Sequence, residues 1–146
     1  MSEPISERIL RAIHVELGAS APGGCRVLRN VAIPERIDPG GLAILRDGDP
    51  GEPSVSLSPL LFHYRHRAAL DLVVAEDDPE TRDRAFARLK GWVSAALAVD
   101  PSLGGLCDWA EPLAAAAEIV AVEGVTPFKA ATVEIEIHYA SPDRLV

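Results

Sequence analysis

FHYRHRAALDLVVAE, residues 62–76, alternates apolar and polar side chains over a stretch that no ordinary loop would sustain. Phe62, Tyr64, His66, Ala68, Leu70, Leu72 and Val74 fall on one side of an extended chain, and His63, Arg65, Arg67, Ala69, Asp71 and Val73 on the other. Side chains of a strand point alternately to its two faces, so this is a strand with one face against a core. His63 and His66 are three apart and face opposite ways, which excludes a metal gripped by the pair. Arg65 and Arg67 share the polar face, open to solvent or to an electrostatic contact with a partner.

The next segment, DDPETRDRAFARLKGWVSAALAVD (77–100), changes period. Phe86, Leu89, Val93 and Leu97 form a stripe widened by Trp92 and Ala96, with Asp77 or Asp78 as cap and Pro79 at the first helical position. These are the marks of a helix that packs on the sheet. It gives way near Asp100 and Pro101 to VDPSLGGLCDW (99–109). A phosphate-binding glycine loop leads from a strand into a helix N-terminus, whereas Gly104 and Gly105 follow a helix, at the end whose dipole repels anions. The stretch therefore reads as a turn.

The C-terminal KAATVEIEIHYA (129–140) returns to strict alternation, Ala131, Val133, Ile135, Ile137 and Tyr139 against Thr132, Glu134, Glu136 and His138. It predicts a half-buried antiparallel strand. Upstream, EIVAVEGVTPFKAATVEIEI (118–137) resembles two strands joined by a Gly and Pro turn, so Leu113 to Val122 is expected to be strand, with a helix over the alanine run 114–117 as the alternative.

At the other end, Ile5, Ile9, Ile13 and Leu17 recur every four residues, widened by Leu10 and Ala12. An amphipathic helix follows, capped by Ser2, tolerating Pro4 in its first turn and ended by Gly18. His14 flanks its apolar stripe with no partner at metal spacing. RVLRNVAI (26–33) reads as a strand stopped by Pro34, and LAILRD (42–47) as a second short strand. Five prolines and four glycines between Pro34 and Pro59 break up anything longer. That stretch predicts a long loop around 34–60, and contact with another chain is a common reason to keep one. The order of elements predicts an α+β fold: one domain over 1–146, an antiparallel sheet, and the N-terminal and long central helices packed on one face.

The chain has 146 residues, 48% of them hydrophobic and 25% charged, enough for a real core without metal or disulfide staples. Its formal charge of -8 disfavours nucleic-acid binding. No apolar run spans a membrane and MSEPISERIL lacks the pattern of a signal peptide, so the expected site of synthesis is the cytoplasm. Cys25 and Cys107 stand at no paired-ligand spacing and read as reduced packing residues. For catalysis, Cys107 has no identifiable base and no Gly-x-Ser-x-Gly elbow occurs. Glu134, Glu136 and His138 share a strand face and mimic an acid–base row, although such a row is more often a solvated or interfacial sheet face. No metal or cofactor motif is present.

Taken together, ERILRAIHVEL (7–17), HYRHRAALDLVV (63–74), LAVDPSLGGLCDW (97–109) and ATVEIEIHYAS (131–141) resemble the tail terminator, or tail completion, proteins of long-tailed bacteriophages, prophages and gene transfer agents. The resemblance spans nearly the whole chain and is most specific at the helix-to-DPSLGG junction. It implies a non-enzymatic virion protein, made in the host cytoplasm, that forms a hexameric ring on the head-proximal end of the tail tube. Such a ring stops tube growth and meets a head-completion or connector protein, with genomic DNA passing through the lumen without specific binding and no membrane involved. It also implies that DPSLGG is a structural corner, with Leu103 turned to the core and Cys107 and Trp109 packing or lining an interface. The expected contacts are the 34–59 arm with Arg46, Asp47 and Asp49, and the polar strand face with Arg65, Arg67, Glu134, Glu136 and His138. Two alternatives stand beside this one: another head–tail connector or tail-tube component of the same particle, and a small enzyme using Cys107 or the Glu134, Glu136 and His138 row.

Overall fold

A computed structural model describes residues 3–146. The order is α1 (Ile5–Ala19), β1 (Arg26–Arg29), β2 (Leu42–Asp49), β3 (Ser54–Ser56), β4 (Leu61–Ala75), α2 (Pro79–Val99), β5 (Trp109–Pro112), β6 (Glu118–Val120) and β7 (Phe128–Ser141). The strands form one sheet in the order β1-β2-β4-β7-β5, with β3 added to β4 and β6 to β7. Its spine is the antiparallel pair β4 and β7, in register from Phe62 opposite Ser141 to Ala75 opposite Phe128. Both alternating sequences thus bury the same face: Phe62, Tyr64, His66, Ala68, Leu70, Leu72 and Val74 from β4, and Ala131 to Tyr139 in steps of two from β7.

Both helices cover that face. Helix α2 starts where Asp78 Oδ2 accepts the Thr81 amide at 2.9 Å, with Pro79 in its first turn, and it buries Phe86, Leu89, Trp92, Val93, Ala96 and Leu97 as the periodicity requires. Helix α1 buries Ile9, Leu10, Ile13 and Leu17 into the same core. Its start differs from expectation: Pro4 occupies the cap position without a side-chain bond, and Ser2 lies outside the described residues. Its end differs too, because the helix runs through Gly18 to Ala19. No helix among the described residues is long and apolar enough to cross a membrane.

The sheet is mixed rather than wholly antiparallel. β1 pairs parallel to β2, Arg26 with Leu42 through Arg29 with Leu45. β1 stops at Asn30 (φ 52), four residues before Pro34, and residues 30–41 cross back over the sheet end. Ile37 in this crossover and Leu28 pack on Leu42, Ile44 and Val73, a small second cluster on the face away from the helices. The expected long loop is consequently divided. β2 inside it has eight residues and Leu42 to Leu45 are buried on both faces, leaving a crossover on one side and a short turn before β3 on the other.

The expected strand from Leu113 to Val122 is also divided. β5 ends at Pro112, β6 covers only 118–120, and the alanine run between them is neither strand nor helix. The DPSLGG corner forms as expected. Asp100 Oδ2 accepts the Gly104 amide at 2.7 Å and Oδ1 the Ser102 hydroxyl at 3.1 Å, while Leu103 is buried. Leu103, Gly104 and Gly105 all have positive φ (52, 70 and 89), a left-handed run that turns the chain into β5 and suits glycine at two of its three places.

Candidate functional site

The face of β4 and β7 opposite the helices carries the polar halves of both alternations. Register sets its rows. Arg65, His138 and Trp109 lie side by side across β4, β7 and β5; Arg67, Glu136 and Glu111 form the next row, then Ala69 with Glu134, then Asp71 with Thr132. Ion pairs run on the diagonals, Arg65 to Glu136 at 3.4 Å and Arg67 to Glu134 at 3.5 Å. Glu136 also meets His138 Nε2 at 2.8 Å, and its side chain is only 14% exposed against 49% for Glu134. Further along, Arg46 Nε donates to Asp71 Oδ2 and the Thr132 hydroxyl to Asp71 Oδ1, both at 2.7 Å.

Trp109 completes one row. Its indole stacks on the His138 imidazole at 3.8 Å between centroids and an interplanar angle of 21°, yet it stays 43% exposed. No spacing rule links residues 29 positions apart, so only the β5–β7 register brings them together. Cys107 goes the other way and is buried; burial, with Asp108 and Asp100 nearby, pushes its thiol up to about 11. Such a group holds almost no thiolate at neutral pH and is a poor nucleophile.

The residues expected at an interface therefore separate. Arg46, Arg65, Arg67, Glu134, Glu136 and His138 share the uncovered face, and its charges are mixed rather than acidic. Asp47 lies elsewhere. Its Oδ1 accepts from Arg29 Nη2 at 2.8 Å and Asn30 Nδ2 at 3.0 Å, and Arg29 also grips both Glu7 oxygens at 2.7 and 2.8 Å. Burial alone would raise the Asp47 carboxyl, but the bonds from Asn30 and Arg29 outweigh it and hold the group lowered; the Arg29 hydrogen bond does the same for Glu7. Asp47 thus ties α1, β1 and β2 together. Asp49 is spent locally, its Oδ1 accepting the Gly51 amide at 2.8 Å.

His63 is exposed and bonds the Ser56 hydroxyl at 2.8 Å, whereas His66 is buried on the opposite face, as their spacing requires. His14 Nε2 meets the Val27 carbonyl oxygen at 3.0 Å. Among the described residues no group of three His, Cys, Asp or Glu side chains is placed to hold a metal ion.

No family model matches the sequence, and no curated protein matches it. Among solved structures, the chain is similar to one from the virion of a native gene transfer agent particle, at 13% identity and a TM-score of 0.47, covering 94% of this chain and 99% of that one.

Proposed function

We propose that this protein is a structural component of a phage-like tail that assembles as a ring, six subunits in the reading its sequence resemblance implies, on the head-proximal end of the tail tube. There it ends tube growth and offers a surface to the head-completion or connector protein. The observation that carries the reading is the row Arg65, His138 and Trp109 on an uncovered sheet face. A half-solvated antiparallel sheet needs only polar residues on its outer side. A stacked, exposed tryptophan in one row with an arginine is instead the composition of a binding anchor, since aromatic residues and arginine dominate interface energetics.

Binding to the tail-tube protein tests it. Light scattering on the chain alone and with that partner should give a ring, or a monomer that becomes a ring on the tube. Trp109→Ala should weaken capture at least tenfold, about 1.4 kcal/mol, without unfolding the subunit. A wild-type chain that ignores the tube overturns the reading. Charge reversal needs a choice of site. Glu136 is nearly enclosed and bonded to His138, so reversing it would disturb the fold itself; Arg67 with Glu134 is exposed on both sides and contributes well under about 1 kcal/mol. The exchange Arg67→Glu with Glu134→Lys therefore reverses this one pair on the face at little cost to stability. Another component of the same particle remains the alternative, and stoichiometry separates them, because a tube protein recurs in every ring.

A further inference from the structure

The two ends of the β4–β7 spine are complementary to each other. At one end the β3–β4 hairpin projects beyond the final residues of β7, and its tip is apolar: Leu57 is 77% exposed, and Val55 and Leu60 are exposed with it. At the other end a groove of about 660 Å³ opens between the crossover, the end of β4 and the β6–β7 turn. Ile33, Ile37, Val73, Val125 and Phe128 line it, with Ile33 and Val125 themselves exposed. Glu35, Glu76 and Asp77 at the groove outnumber Arg36, but at the hairpin end Arg65 is paired with Glu136 and Arg144 stands beside Asp143, so the match is between apolar surfaces.

β4 runs fifteen residues from the hairpin to the groove. At about 3.3 Å per residue the two features are nearly 50 Å apart, so a tip cannot reach the groove of its own subunit. We infer that the Leu57 hairpin of one copy of this chain seats in the Ile33–Val125 groove of the next. The contact is heterologous, head to tail, and generates a closed ring or an open filament according to the rotation it imposes. It rests on the ring reading for its biological setting and supplies that reading with a subunit contact, but it is tested without any tail-tube protein.

The test uses two surface variants of the full chain, Leu57→Asp with an intact groove and Val125→Asp with an intact tip, analysed by sedimentation velocity over a dilution series with circular dichroism as the folding control. The wild type should self-associate, and each variant alone should be monomeric. An equimolar mixture should form one-to-one dimers and nothing larger, because each pair retains one good tip and one good groove. Leu57→Ala should weaken wild-type association about tenfold. A wild type that stays monomeric throughout, a variant that still forms wild-type oligomers, or a mixture that stays monomeric overturns the inference. Tube capture that fails while the mixing pattern holds removes the proposed function and leaves this contact standing. Capture that persists in a chain without the mixing pattern does the reverse.

Discussion

Replacing His66 tests how the inner face of β4 is held. The ring is 3% exposed; Nε2 lies 2.6 Å from the Asp47 carbonyl oxygen and Nδ1 2.8 Å from the Tyr139 hydroxyl. A carbonyl only accepts, so Nε2 carries the proton, Nδ1 is bare, and Tyr139 donates to it. Burial holds the imidazole pKa below its ordinary 6.5, keeping it neutral in the folded chain. His66→Ala strands both partners and opens a cavity, at about 3 kcal/mol in all. The pH dependence is the sharper readout. Above the unfolded pKa both states are neutral and the full stability is present; as pH falls through that value only the unfolded chain takes up a proton, and stability is lost until the lower folded pKa is reached. The loss is bounded at about 1.4 kcal/mol per pH unit, the slope for one proton taken up by the unfolded chain alone. Urea unfolding of the wild type and His66→Gln, taken as a difference, isolates this from other titrating groups. A difference that is flat between about pH 7.5 and about 5.5, or that favours the wild type more at low pH, refutes the neutral, doubly bonded ring.

Two glycines should respond oppositely to alanine: a Cβ on Gly40 would overlap the Gly24 carbonyl group, costing about 2–3 kcal/mol, while Gly91 in α2 has open space and its substitution should add about 0.5–1 kcal/mol, both read from denaturant midpoints. Arg29→Met leaves Glu7 and Asp47 facing each other and should destabilise by about 2 kcal/mol at neutral pH, a deficit that shrinks in acid as the carboxylates protonate; thermal unfolding at two pH values checks the sign. Cys107 should alkylate no faster than a model thiol at neutral pH, and rapid modification of the folded chain would reopen the enzyme reading.

The elements legible in the sequence are those whose two faces differ. β4, β7 and α2 each set an apolar side against a polar one, so period alone assigns them, down to the placing of His66 on the buried side. β2 is read over 42–47 and runs two residues further, because Gly48 and Asp49 are poor strand formers by type and join the strand only through an irregular pairing with β4. Its parallel pairing with β1 depends on the crossover, which composition marks only as irregular. Alanine at 114–117 favours a helix locally, yet the run forms no element and only bridges β5 and β6, whose places are set by pairing with β7. At the surface, the charged residues of the sheet face were readable from alternation. The Trp109 stack was not, since it is made by register, and neither was the exposed apolar hairpin tip, because Leu57 on a projecting tip and a leucine in the core are the same letter.

The position of β7 within the sheet also bears on synthesis. It is the last of the seven strands to leave the ribosome, yet it lies inside the sheet, between β4 on one side and β5 and β6 on the other. Until it emerges, β4 presents a fifteen-residue open edge and the core lacks Ile135, Ile137 and Tyr139. The nascent chain can make α2 and the corner early, but its main pairing must wait. A product cut short before residue 124 would keep the hairpin tip and lose the turn that walls the groove, leaving an aggregation-prone edge for proteases and chaperones to find.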